Sequence, residues 1–153
     1  MKFLHGSVTK RVITAFYEVY NDLGFGFLEA VYEKAMLIAL EQAGVRCARQ
    51  APIEVWYRER NIGLYYADLI VEGVVIVELK AARALESAHE SQVLNYLRGT
   101  DIEVGLLLNF GPQPQFRRLV LTNDRKTSHR LHRYHRGPRI GPVSIRGICV
   151  IRG

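Results

Sequence analysis

Residues 66–80 read Tyr66-Ala67-Asp68-Leu69-Ile70-Val71-Glu72-Gly73-Val74-Val75-Ile76-Val77-Glu78-Leu79-Lys80. β-Branched residues crowd both arms of this stretch, and Glu72-Gly73 supplies the glycine that a tight hairpin turn needs, so two antiparallel strands are predicted. Three charges interrupt the apolar arms. Asp68 lies in the first strand, and Glu78 and Lys80 close the second, one residue apart and therefore on the same face. An ionised carboxylate among Val and Ile side chains must be paired, hydrogen-bonded or bound to a cation. Two carboxylates facing each other across a hairpin repel unless a cation lies between them, and a hard divalent ion such as Mg²⁺ suits their oxygens.

Upstream of this hairpin, Ile53 to Tyr57 alternates as a strand, and Arg58 to Asn61 reads as the turn into a strand over residues 62–71, which completes a three-strand meander. Thr9 to Asn21 places Val12, Ile13, Phe16, Tyr17 and Tyr20 at helical spacing. Phe27 to Ala43 does so through Leu28, Val31, Ala35 and Ile38, with Gly44 as C-terminal cap and with Glu29, Tyr32, Glu33 and Met36 on a face beside that stripe. Downstream, Leu85 to Arg98 carries His89, Gln92, Val93 and Tyr96 at spacings of three and four, which predicts a helix ended by Gly99. The apolar run Val104 to Phe110 is a strand buried on both faces, and Phe116 to Leu121 is one more. The predicted fold is therefore α/β, with a mixed central sheet and helices packed on it. Glu29 and Gln92 are expected to reach the hairpin from two helices on one side of the sheet, while Tyr65 and Tyr66 read as core and sheet-face residues.

The 153 residues, 48% hydrophobic and 24% charged, suit one globular domain, and the net charge of +6 divides unevenly. Residues 1–124 hold 13 Lys and Arg against 15 Asp and Glu, a net of −2, whereas residues 125–153 hold 8 Lys and Arg and no acid. Basicity thus belongs to a C-terminal extension beyond a domain of residues 1–124, and any phosphate-binding surface on that domain is local. Within the extension, Val143 to Ile151 alternates weakly as a strand would. No apolar run reaches the roughly 18 residues of a membrane span, and Met1 to Gly6 is too short and polar for a signal peptide, so the expected compartment is the cytoplasm. Cys47 and Cys149 match no metal-ligand spacing and read as reduced thiols.

Carboxylates beside a lysine form the set that phosphodiester hydrolysis requires: the acids bring a metal, and an ammonium orients water or stabilises the crowded phosphate. Asp68 and Glu78, with the Leu79 carbonyl and Glu29, are the candidate metal ligands, and Lys80 the cationic partner. Gln92 and Tyr96, one turn apart, are candidates for holding substrate phosphate.

The segment Gly26-Phe27-Leu28-Glu29-Ala30-Val31-Tyr32 resembles the signature of the GxxExxY family. Asp68 followed by Glu78-Leu79-Lys80 resembles the D…E-x-K core of the PD-(D/E)XK nucleases, with Ala67 where proline is common. Gln92-Val93-Leu94-Asn95-Tyr96 resembles the Q-x-x-x-Y motif of RecB-type members. E-x-K alone recurs by chance; four motifs in order, on the expected elements, are specific. The resemblance covers residues 5–124 and implies a restriction-endonuclease-like α-β-β-β-α-β core. It implies a Mg²⁺-dependent nuclease acting on DNA, with Mn²⁺ able to substitute, and with Asp68, Glu78, Lys80 and Glu29 as catalytic residues. The alternative is a catalytically silent nucleic-acid-binding or protein-interaction module on the same fold.

Overall fold

The computed structural model describes residues 4–130. The expected strand over Val143 to Ile151, Cys149 and the rest of the basic extension past residue 130 lie outside them. Two helices, α1 (Gly6–Leu23) and α2 (Glu29–Gln42), precede the strands β1 (Cys47–Tyr57), β2 (Arg60–Val71) and β3 (Val75–Lys80). The chain continues through α3 (Ser87–Gly99), β4 (Val104–Phe110), β5 (Pro114–Val120) and α4 (Asn123–Arg130). The strands form one five-stranded sheet in the order β1-β2-β3-β4-β5, in which only the β3–β4 pair is parallel. This is the mixed α/β sheet expected of a restriction-endonuclease-like core, with α3 as the crossover that a parallel pair requires.

The meander closes through two turns that demand left-handed backbone. Arg58 and Glu59 have φ of 44° and 64°, and Glu72 and Gly73 have 51° and 68°. Paired positive φ values match the right-handed twist of the flanking strands. Glu72 is held there by Arg46, whose backbone N–H donates to Oε1 at 2.9 Å and whose Nε meets Oε2 at 3.1 Å. α2 ends at Gly44 (φ 69°), with Val45 N–H donating to Leu40 O at 2.9 Å and Gly44 N–H to Glu41 O at 2.9 Å, the paired C-terminal bonds of a Schellman motif.

The two faces of the sheet bury separate cores. One packs Val12, Phe16, Tyr32, Met36 and Leu40 of α1 and α2 on Leu69, Val77, Leu79 and Leu108; the other packs Val93, Tyr96 and Leu97 of α3 on Ile53, Ile70, Ile76 and Leu107. The helices bearing Glu29 and Gln92 therefore lie on opposite sides of the sheet, which corrects the expectation of one side. A right-handed crossover confines α3 to one face, and the helices before the meander must cover the other.

α2 also buries a different stripe from the expected one. Tyr32, Glu33, Met36 and Leu40 face the sheet, while Leu28, Val31 and Ile38 face solvent. The Tyr32 ring stacks on Phe110 at 4.1 Å between centroids, and Phe16 meets the same ring edge-on at 4.8 Å. In α1 the buried set is Thr9, Val12, Ala15, Phe16 and Val19, and Tyr17 is exposed. Tyr65 and Tyr66, expected as core and sheet-face residues, are each half exposed, because the outer part of the β1–β2 hairpin extends beyond the helices.

α4 crosses the expected boundary at Asp124, and buried Lys126 donates from Nζ to Thr100 O at 3.0 Å and Ile102 O at 2.6 Å. Cys47 is partly buried, and desolvation, then the Glu33 charge, pushes its thiol up to about 12, so it stays protonated as a packing residue. Among the described residues no helix is long and apolar enough to cross a membrane.

Candidate functional site

The site forms where β2 leaves β3. Their pairing runs through Val71 opposite Val75, Ile70 opposite Ile76 and Leu69 opposite Val77, and no further. On its other edge β3 stays paired with β4 as far as Lys80 beside Asn109. The Leu79 N–H donates to a side chain of β2: Asp68 Oδ2 accepts it at 2.8 Å. A carboxylate thus takes the place a strand carbonyl would hold, and its charge is fixed against the Glu78-Leu79-Lys80 segment.

Glu78 and Lys80 share the face of Ile76, which is the α3 face. β3 is the central strand, so this is no edge-strand salt bridge. Glu78 is only 4% exposed. Its Oε1 lies 3.6 Å from Lys80 Nζ, beyond hydrogen-bond reach, and its buried Oε2 has no partner among the described residues. Desolvation, reinforced by the charge of Asp68, pushes the Glu78 carboxyl up to about 8, against the pull of Lys80. Asp68 is raised as well, first by desolvation, with Glu33 and Glu29 adding to it and the Leu79 N–H opposing it. Burial and like charge both act on this pair, and a bound cation would relieve both.

Glu29 arrives from the other face as the first residue of α2. Gly26 (φ 110°) shapes the approach, and the Tyr32 hydroxyl ties it down by donating to Gly24 O at 2.7 Å and accepting from Phe27 N–H at 3.3 Å. Gly26, Glu29 and Tyr32 of the signature therefore each do something physical, the first making a turn, the second supplying an acid, the third clamping the loop that carries it. Glu29 Oε1 accepts from Ala81 N–H at 3.4 Å, just past Lys80. The next residue is clamped in turn, since fully buried Asn109 exchanges two hydrogen bonds of 2.9 Å with the Ala82 backbone. Gly111 permits that approach, because a Cβ there would stand 2.3 Å from Ala82 O.

Three positioning residues lie outside the sequence-based candidate set. Gln50, a non-glycine residue at φ 47°, is skipped in the β1–β2 pairing opposite Asp68. The inward alternation changes phase there: Cys47 and Leu69 pack toward α1 and α2, while Ala51, Ile53 and Ala67 pack toward α3. The kink aims the Gln50 amide at Glu33 Oε2 (3.0 Å) and at Asp68 Oδ1 (3.5 Å), and Arg49 Nε bonds Glu33 Oε1 at 2.5 Å. These partners explain why Glu33 is tolerated on the buried face of α2. Glu33 is legible in sequence as the residue one turn beyond Glu29, but Arg49 and Gln50 carry no sequence signal because only the kink brings them in.

Gln92 and Tyr96 lie on α3, the helix packed on the sheet face that Ile76 and Glu78 share. Gln92 Nε2 donates to the Tyr96 hydroxyl at 2.8 Å, and that phenol is raised by burial, with Glu78 and Asp68 adding to the effect against the Gln92 bond. His89 serves as a cap, its Nδ1 accepting Glu86 N–H at 3.0 Å. Among the described residues no three Asp, Glu, His or Cys side chains gather closely enough to enclose a cation as they stand. Asp68 and Glu29 instead rest on the backbone N–H groups of Leu79 and Ala81, on either side of Lys80. The donors are hard oxygens and Glu78 Oε2 is unclaimed among the described residues, so the residues present suit a divalent cation.

The model of the PD-(D/E)XK nuclease superfamily matches residues 6–119. No curated protein matches the chain. Among solved structures, the crystal structure of SSO0001 is similar at 20% identity and a TM-score of 0.41 over 67% of this chain. The matched region spans 57% of that protein's chain.

Proposed function

Because the chain belongs to the PD-(D/E)XK nuclease superfamily, whose members are usually nucleases and generally use divalent metals, we propose that it hydrolyses phosphodiester bonds of DNA with Mg²⁺, Mn²⁺ substituting. The observation that carries this reading is Glu78 Oε2 on the central strand, buried near Asp68 and Lys80 and without a hydrogen-bond partner among the described residues. Asp68, Glu78, Glu29 and the Leu79 carbonyl would hold the cation. When bound, it supplies positive charge against the phosphate oxygens and acidity to water. Lys80 supplies the protein's own charge at this point: its ammonium orients the attacking water and stabilises the negative charge that grows on the phosphate. Gln92 and Tyr96 hold substrate through amide and phenol hydrogen bonds. The finer placement in the GxxExxY family rests on Gly26, Glu29 and Tyr32, and the nuclease-like domain is taken as residues 1–124, with the basic extension appended.

The engagement of Asp68 and Glu29 with backbone N–H groups favours a second reading, a silent binding module on the same fold. Incubating the purified chain with single- and double-stranded DNA separates the two. The nuclease reading expects cleavage with Mg²⁺ or Mn²⁺ that stops on adding EDTA; no cleavage with either metal favours the silent module.

A further inference from the structure

The candidate site has an aromatic neighbour outside its acids. Tyr65 lies on β2 opposite Ile53, on the α3 face of the β1–β2 hairpin, yet its ring is half exposed. It sits over Gly63, where a Cβ would come within 3.3 Å of the ring carbon Cε2 and 3.7 Å of the hydroxyl, so the missing side chain makes its seat. Its ring centroid is 6.1 Å from that of Tyr96, tilted by 47°. Tyr96 bonds Gln92 and packs in the same core as Ile76, two residues before Glu78 on the same face. Trp56, Tyr57 and Tyr66 add further exposed rings along the hairpin, and the Arg58 guanidinium lies 5.2 Å from the Tyr57 ring centre.

An exposed ring beside a phosphodiester site has a chemical use. Bases of an unpaired strand stack on aromatic side chains regardless of sequence, whereas paired bases keep their faces inside the duplex. Residues 1–124 carry a net charge of −2, so this domain offers little general attraction for the phosphates of a duplex. We infer that Tyr65, backed by Tyr96, is a stacking platform for an unpaired base next to the phosphodiester, making a single strand the preferred substrate. This rests on the nuclease reading above and narrows its substrate.

The test measures binding of a labelled single-stranded DNA oligonucleotide and of its duplex to the full chain, with Ca²⁺ replacing Mg²⁺ so that affinity is read without turnover. The wild type is expected to bind the single strand more tightly. Tyr65→Ala weakens single-strand binding about ten-fold or more, leaves duplex binding unchanged, and keeps the thermal midpoint. Tyr65→Phe, which preserves the ring, restores the wild-type preference. Equal affinity of the wild type for both DNAs, an unaltered single-strand affinity in Tyr65→Ala, or equal losses for both DNAs overturns the inference. A Tyr65-dependent preference for the single strand in a chain that cleaves neither DNA with Mg²⁺ or Mn²⁺ supports the platform while removing the nuclease reading.

Discussion

Lys80→Ala is expected to lower the rate of DNA cleavage by about 10² to 10³-fold, the usual cost of removing one charged group aimed at a developing negative charge. The fold should tolerate the change. Lys80 is the last residue of β3, its ammonium stands 3.6 Å from Glu78 without a close hydrogen bond, and its backbone pairing with Asn109 does not depend on the side chain. Lys80→Arg keeps the charge but replaces a compact ammonium with a planar fork, so only partial recovery is expected. Glu78→Ala should abolish cleavage in a different way, by removing a metal ligand. The two variants therefore divide: raising the Mn²⁺ concentration leaves Lys80→Ala impaired, with metal affinity intact, while Glu78→Ala has lost that affinity. Cleavage that survives in both variants removes the proposed site.

The second large effect is on stability, and its sign follows from the raised carboxyl of Glu78. In the unfolded chain this group ionises near 4.5, and in the folded protein at about 8. Between those values the folded state holds a proton that the unfolded state has released, so stability is fully present below about pH 4.5 and is lost as pH rises through about 8. Asp68 is raised too and contributes in the same direction. The ceiling for Glu78 is on the order of 5 kcal/mol, and water entering the site would reduce it. A loss of about 3 kcal/mol corresponds to a fall of roughly 6 to 12 °C in thermal midpoint for a chain of this size. In EDTA the wild-type midpoint should therefore drop between pH 5 and pH 9, and Glu78→Gln, which cannot titrate, should flatten most of that drop. Parallel curves for the two proteins would show that Glu78 is not the group responsible. Divalent metal should also flatten the wild-type curve, because a cation takes the place of the proton.

The order of elements was legible because β-branched runs, paired turn residues and helical spacing all pointed the same way, from the Glu72-Gly73 turn to the wholly buried strand Val104–Phe110. Asp68, Glu78 and Lys80 stood out because charge inside an apolar hairpin is costly. The buried face of α2 was not legible. Leu28, Val31 and Ile38 form as plausible a stripe as Tyr32, Met36 and Leu40, and the choice is made by Phe110, far along the chain, on which Tyr32 stacks. The side of the sheet each helix covers was likewise hidden, since it follows from the crossover between β3 and β4. Gln50 and Arg49 escaped because their roles depend on a kink that leaves no compositional mark. Asn109 did leave one, as a lone amide in an apolar strand just before Gly111. Its meaning becomes clear only with the Ala82 backbone bonded against it.

The proposed nuclease needs Asp68, Glu78 and Glu29 to bind a divalent cation at the end of β3. A calorimetric titration of Mn²⁺ into the purified chain tests it most directly, with Asp68→Ala and Glu78→Ala as comparisons at matched pH. Saturable Mn²⁺ binding that disappears in both variants, while each keeps a cooperative thermal transition, is the predicted result. No saturable binding by the wild type, or binding that persists unchanged in both variants, would contradict it.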